Sequence, residues 1–203
     1  MAWQSFHLSR HCRYYNISET PFRFKVGDMR SACYHDTAIP RRYDRFMQER
    51  EPLESMEHMS EALRLAWEAA AAGEVPVGCV IVRDGVIVGR GRNRREASGR
   101  TDAHAEMEAI AEANAALRTW RLDDCDLYVT LEPCPMCAGA ILNGRVRKVY
   151  YGARDRAMGA CGGVFNLFME DFPNKTAIQG GIMERECRET LSAFFTALRG
   201  AEH

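Results

Sequence analysis

His104-Ala105-Glu106 and Pro133-Cys134-Pro135-Met136-Cys137 together supply an imidazole, a carboxylate and two thiols. A catalytic zinc centre takes three protein ligands and keeps its fourth tetrahedral position for water or substrate. His104, Cys134 and Cys137 are the three ligands this set offers. Glu106 follows the histidine too closely to be a comfortable fourth ligand from the same turn, and it is better placed to move the protons of a water held there. The expected chemistry is metal-assisted hydrolysis with one carboxylate as acid and base.

Local structure must hold these groups in place. Cys134 and Cys137 are i and i+3, so they share a face of a helix that begins there. Pro135 suits its first turn, where the missing N–H removes nothing. The run Ala138 to Leu142 continues that helix, and His104 opens a second one through Leu117. Two positive helix N-termini would then face the metal and favour the ionised thiols it needs. Either half of the pattern alone also fits a structural zinc half-site, a redox pair or a capping residue. The combination is more specific, because neither Cys125 nor Cys161 completes a second Cys-x-x-Cys.

The 203 residues suit one domain with an appendage, and a hydrophobic content of 46% can fill a core. Charge is nearly balanced, 27 basic against 28 acidic residues, so no global field marks a nucleic-acid partner. Eight cysteines in a chain this long and well patterned do not imply a disulfide-stapled scaffold. No signal segment or membrane-length apolar run is evident, and the expected setting is reducing and cytoplasmic. Cys79 and Cys187 read as small core residues.

Residues 1–54 read as an N-terminal extension, poorly ordered or a start-site artefact, with a basic RNA-contacting arm as the rival reading. Its first 50 residues carry nine Lys/Arg against five Asp/Glu without a helical or strand period. The domain proper is residues 55–203. Met59, Leu63, Ala66, Trp67 and Ala70 lie on one helical face. Val75–Val82 is a strand-like run, Asp84-Gly85 a hairpin turn, and Val86–Gly89 the returning strand. The helix after His104 would turn Met107, Ile110, Ala111 and Leu117 inward. Leu127–Thr130 and Val146–Tyr151 are further strands, and the helical crossover between them implies parallel pairing. Leu191, Phe194, Phe195 and Leu198 mark a final amphipathic helix docked on the core. The expected architecture is α/β, a mixed sheet with helices on both faces.

These residues carry a family resemblance. Glu74-Val75-Pro76-Val77-Gly78, Asn93, His104-Ala105-Glu106, Thr130 to Ala140 and Gly152-Ala153-Arg154-Asp155 resemble the bacterial tRNA-specific adenosine deaminases of the zinc-dependent cytidine deaminase-like superfamily. The likeness spans residues from about 56 to 199. It implies a three-layer α-β-α fold with a mixed central sheet, one Zn²⁺ per subunit, a homodimer and a tRNA anticodon arm as substrate. It implies hydrolytic deamination of adenosine to inosine at the wobble position, with Glu106 moving protons between water, ring N1 and the departing amine. By the same resemblance Asn93 would hydrogen-bond the base, Val75 would pack against it and Asp155 would lie beside the nucleotide backbone. Ala105, next to the ligand, offers its N–H to the developing oxygen. Two departures stand out: Gly163 occupies a place where the family more often has Ser, and the chain ends at Gly200-Ala201-Glu202-His203 without the family's common basic tail.

Two arginine-rich groups could track phosphates or be solvated faces: Arg90, Arg92, Arg94, Arg95 and Arg100, then Arg145, Arg147, Lys148, Arg154 and Arg156. Rival functions are a guanine, cytosine or free-nucleoside deaminase of the same fold, and a non-catalytic zinc-binding RNA module that would have no use for Glu106.

Overall fold

The computed structural model describes the backbone of residues 41–201 and the side chains of 53–200. The expectation for residues 1–40 therefore lies outside the described residues. Residues 41–54 belong to the first helix, α1 (Arg41–Ala71). After it come β1 (Gly78–Arg83), β2 (Val86–Arg92), the short α2 (Arg95–Ser98), α3 (Ala105–Leu117), β3 (Cys125–Leu131), α4 (Pro135–Gly144), β4 (Lys148–Ala153), a 3₁₀ turn (Leu167–Met169), β5 (Ala177–Gly180) and α5 (Glu184–Ala201).

The five strands form one mixed sheet in the order β2-β1-β3-β4-β5. β1 pairs antiparallel with β2 and β3, while β3-β4 and β4-β5 are parallel. The parallel pair bridged by α4 matches the crossover expectation. The β1-β2 hairpin turns at Asp84-Gly85 with φ of 51° and 75°, the left-handed geometry of a tight two-residue turn.

Strand alternation divides the core into two layers. Cys79, Ile81, Leu127, Val129, Val149 and Tyr151 face α3 and α4. Val80, Val82, Tyr128 and Tyr150 face α1 and Cys187 of α5. Cys79 and Cys187 are buried core thiols, as expected.

Three helical faces differ from the sequence reading, and in α3 the size of the side chains explains it. In α3 the buried stripe is Ala105, Ala109 and Ala113 with Ile110; Ala111 is exposed, and Met107 and Leu117 are only half-buried. That stripe lies directly on β2. A Cβ on Gly91 would sit 1.9 Å from the Ala105 carbonyl oxygen, and one on Gly89 2.3 Å from that of Ala109. A helix this close to a strand leaves room for alanine over glycine, so a search for large apolar residues finds the wrong face. A bulge between Ile81 and Val82 sets the phase of β2 here, pairing Ile81 with Gly89 and Val82 with Ile87 and leaving Val88 as the extra residue.

In α1 the inner face is Met59, Ala62, Leu63, Ala66 and Ala69. Trp67 instead lies outside at 58% exposure, its indole N–H donating to Thr190 Oγ1 of α5 at 3.2 Å. α5 docks through Cys187, with Leu191 half-buried against the same layer. Its later apolar residues Phe195 and Leu198 stay exposed. Among the described residues no helix is long and apolar enough to cross a membrane.

Candidate active site and metal centre

The sheet and its helices deliver the expected residues to one place. His104 is the N-cap of α3 and Cys134 the N-cap of α4, with Pro135 in the first turn of α4. Neither N-cap side chain bonds its own helix, which leaves imidazole and thiol free to face each other. The Ala138 N–H donates to the Cys134 carbonyl at 2.8 Å and closes the turn that brings Cys137 beside Cys134.

His104 Nδ1 lies 3.8 Å from Cys134 Sγ and 3.6 Å from Cys137 Sγ. One donor atom from each of the three residues lies within 4.8 Å of the others. A tetrahedral zinc with ordinary Zn–N and Zn–S bonds requires N···S separations of about 3.6 Å. The donor set therefore fits a zinc ion in both type and spacing. Among the described residues no fourth His, Cys, Asp or Glu completes the group, as an open catalytic position requires.

Proton distribution in the cluster supports this fit. The Cys134 thiol is held down to about 4, chiefly by its hydrogen bond with Cys137 and then by that with His104, against the opposing effect of burial. Cys137 is pushed far up by sharing that proton and by burial. A divalent cation held by Cys134 and Cys137 would displace the remaining proton. His104 is raised, mainly by its bond to Cys134.

Glu106 is 4% exposed. Burial raises its carboxyl above the usual range, against the lowering influence of its own backbone N–H. The side chain thus sits in a dry position beside the cluster, where burial strengthens its hold on a proton.

The cluster opens on a cavity of about 490 Å³. Val75, Asn93, His104, Ala105, Glu106, Cys134 and Asp155 all line it. Cys137 is fully buried beside them. Val75 reaches the cavity because β1 begins only at Gly78, so Val75 and Val77 line the cavity instead of extending the strand. Asn93 follows the end of β2, and its N–H donates to the Val77 carbonyl at 3.0 Å. Asp155 follows β4 and its Oδ1 accepts from the N–H groups of Ala157 and Met158 at 2.8 and 3.1 Å, which shapes the loop over the site.

Sequence reasoning assigned no role to several residues here. Thr101, Leu131, Met136 and Met158 also line the cavity, as does Arg95 of the first arginine group. Two buried carboxylates organise its walls. Glu132 is 2% exposed and accepts the N–H groups of Asp155, Cys161 and Gly163 at 3.0, 2.8 and 2.8 Å. It therefore ties the loop after β4 to the residue preceding Pro133-Cys134. Glu74, fully buried, does the same for residues 93–97. Both glutamates stood inside the quoted motif strings, and the available signal was an acidic residue in an otherwise apolar run.

The arginine groups divide in the structure. Arg90 pairs with Glu61 at 3.2 Å, Arg100 with Asp102 at 2.9 Å and Glu108 at 3.5 Å, Arg94 with Glu108 at 3.9 Å, and Arg147 with Asp126 at 2.9 Å. Arg95 and Arg154 are exposed and have no carboxylate ion pair among the described residues.

Comparison with known proteins places this geometry in a family. The family model of the cytidine and deoxycytidylate deaminase zinc-binding region matches residues 53–153. A tRNA-specific adenosine deaminase of Bacillus subtilis (strain 168) is 50% identical over 143 residues, covering 70% of this chain and 89% of the relative. One from Streptococcus pyogenes serotype M18 is 42% identical over 138 residues, covering 68% and 87% respectively. A solved structure from work on A-to-I editing by tRNA:A34 deaminases at the wobble position of transfer RNA superposes with a TM-score of 0.62 at 40% identity, covering 66% of this chain and 99% of that one. With the three-layer fold, the zinc-type donor set and these likenesses together, the chain belongs to the tRNA-specific adenosine deaminases of the zinc-binding cytidine deaminase-like superfamily.

Proposed function

We propose that this protein hydrolyses adenosine to inosine and ammonia at the wobble position of a tRNA anticodon, with Glu106 as its proton carrier and His104, Cys134 and Cys137 as its zinc ligands. The observation that carries this reading is a buried carboxylate beside an imidazole–dithiol cluster, in the wall of a cavity of about 490 Å³. Zinc bound there supplies the Lewis acidity that makes water nucleophilic near neutral pH.

The remaining work falls to the chain's own residues. Glu106 takes a proton from the attacking water and passes it to adenine N1, then carries the remaining hydroxyl proton to the C6 amine, which leaves as ammonia as the C6 carbonyl forms. The Ala105 N–H is the first of α3 and has no carbonyl partner within the helix, so it can donate to the oxygen developing at C6. Asn93 hydrogen-bonds the base, Val75 packs against it, and Asp155 lies beside the nucleotide backbone. A target base must leave its stack to reach such a pocket, which suits an anticodon loop better than a duplex. Incubating the zinc-loaded protein with an anticodon stem-loop should release inosine and ammonia in equal amounts. Ammonia released only from free bases or nucleosides would overturn the tRNA reading.

Phosphate grip is assigned to Arg95 and Arg154, two exposed arginines without carboxylate ion pairs among the described residues. Arg95→Ala and Arg154→Ala should each weaken stem-loop binding and lower the slope of log K against log salt by about one. Arg100→Ala should change the slope little, because Asp102 and Glu108 already neutralise that charge. Equal slopes in all three variants would count against this division.

The functional unit is a homodimer in the cytoplasm. Met158, Val164, Phe165, Met169 and Phe172 are large, exposed apolar residues gathered between positions 158 and 172, and Met158 also lines the cavity, a concentration that suits a second copy of the chain. The described cysteines are all free thiols, as a reducing compartment would leave them. Light scattering should give twice the chain mass of 23.0 kDa, and Phe165→Asp should shift the protein towards monomer. A wild-type monomer at micromolar concentration would rule the dimer out.

A further inference from the structure

Glu74 ends the turn after α1, its N–H donating to the Ala69 carbonyl at 3.0 Å. Its side chain is fully buried, and a charge in that position needs compensating donors. Three converge on it. Oε1 accepts from the Ala97 N–H at 2.8 Å, and Oε2 from the Glu96 N–H at 3.2 Å and Asn93 Nδ2 at 3.3 Å. The two backbone groups are N–H donors of the first turn of α2, whose own N-cap, Arg94, makes no side-chain cap. A remote carboxylate thus holds the loop that follows β2.

The third bond has a chemical consequence. An ionised carboxylate can only accept, so the atom of Asn93 facing Glu74 must be the amide nitrogen. A half-turn of the amide would set Oδ1 against Oε2, two acceptors with no proton between them. Asn93 is 7% exposed and lines the cavity, so its remaining acceptor and its second N–H are offered in one order. A base edge is read by that order of donors and acceptors.

We propose that Glu74 is a positioning residue that locks the amide orientation of Asn93 and thereby sets which nucleobase edge the cavity accepts. This rests on the reading of Asn93 as the base contact. Glu74 touches no substrate and acts only through Asn93.

The test is Glu74→Gln in the full-length, zinc-loaded protein. Glutamine keeps the shape but offers one acceptor and one donor. With its oxygen retained by the Ala97 N–H, its nitrogen faces Asn93 and pulls Oδ1 towards it, which reverses the amide. The kcat/KM for stem-loop deamination should fall at least tenfold, with zinc content unchanged. In an Asn93→Ala background the same substitution should cost less than threefold, because the residue it acts through is gone. An equal loss in both backgrounds would reduce Glu74 to a loop support and overturn the proposal.

A second readout needs no substrate. In ¹⁵N-labelled protein the Asn93 side-chain amide, identified by its disappearance in Asn93→Ala, should exchange slowly with solvent and shift in Glu74→Gln. Free exchange in the wild-type protein would overturn the lock, even if Glu74→Gln failed to fold. Absence of inosine from the wild-type reaction would sink the tRNA function while leaving this measurement valid.

Discussion

Glu106→Gln should abolish deamination while the protein keeps its zinc. A single well-placed acid or base contributes about 10²–10⁴ to rate. Glu106 is assigned every proton movement of the reaction: deprotonation of water, protonation of N1 and assistance to the leaving amine. The expected loss in kcat is therefore at the upper end, about 10⁴ or more. The fold should survive, because the carboxamide has nearly the shape of the carboxyl group and adds no charge to a buried position. Cys137→Ala is the informative partner. It removes a fully buried donor of the cluster, so metal content and activity should be lost together. Inosine formation and metal analysis on the same samples distinguish the two cases. A Glu106→Gln protein that has lost zinc would make Glu106 a ligand; one that still turns over at a substantial rate would remove it from the mechanism.

Gly91→Ala should cost about 100-fold in kcat/KM although Gly91 does not line the cavity. The added methyl would stand 1.9 Å from the Ala105 carbonyl oxygen and 2.5 Å from the Ala109 nitrogen, both helix backbone. Backbone cannot rotate aside, so α3 must move by about 1 Å, and displacements of that size near reacting groups cost about 10²-fold. The same helix carries His104 at its N-cap and Glu106 in its first turn, so metal ligand and proton carrier move together. Overpacking of this kind destabilises by about 1–3 kcal/mol, a fall in Tm of several degrees for a domain of this size. Gly139→Ala is the control for stability: a Cβ there meets nothing within 4 Å, and alanine suits a helix interior better than glycine. If Gly91→Ala kept full activity and stability, the close α3–β2 seam would not be what places the site.

The chemistry of the site was legible in the chain because it is encoded locally. The i, i+3 thiols, the proline between them and the histidine two residues before Glu106 each act within a single helical turn, and the structure has both helices starting at those residues. The hairpin at Asp84-Gly85 and the parallel β3-β4 pair were legible for the same reason, one from turn chemistry and one from connection length. The burial of Trp67, Phe195 and Leu198 was misread, since helical period identifies a face but not what that face will meet.

Tertiary structure alone decided which distant segments meet. Glu74 becomes an anchor only when residues 93–97 fold over it, and Glu132 only when residues 155–163 do. Whether an arginine is free for phosphate depends on a carboxylate brought alongside, as Glu61 is for Arg90. The alanine stripe of α3 gains its meaning from two glycines on β2 that let the helix approach the strand. A short-range pattern records the angular order of side chains about one element. The distance between two elements, and the buried donors that neutralise a carboxylate between them, arise only when the layers close.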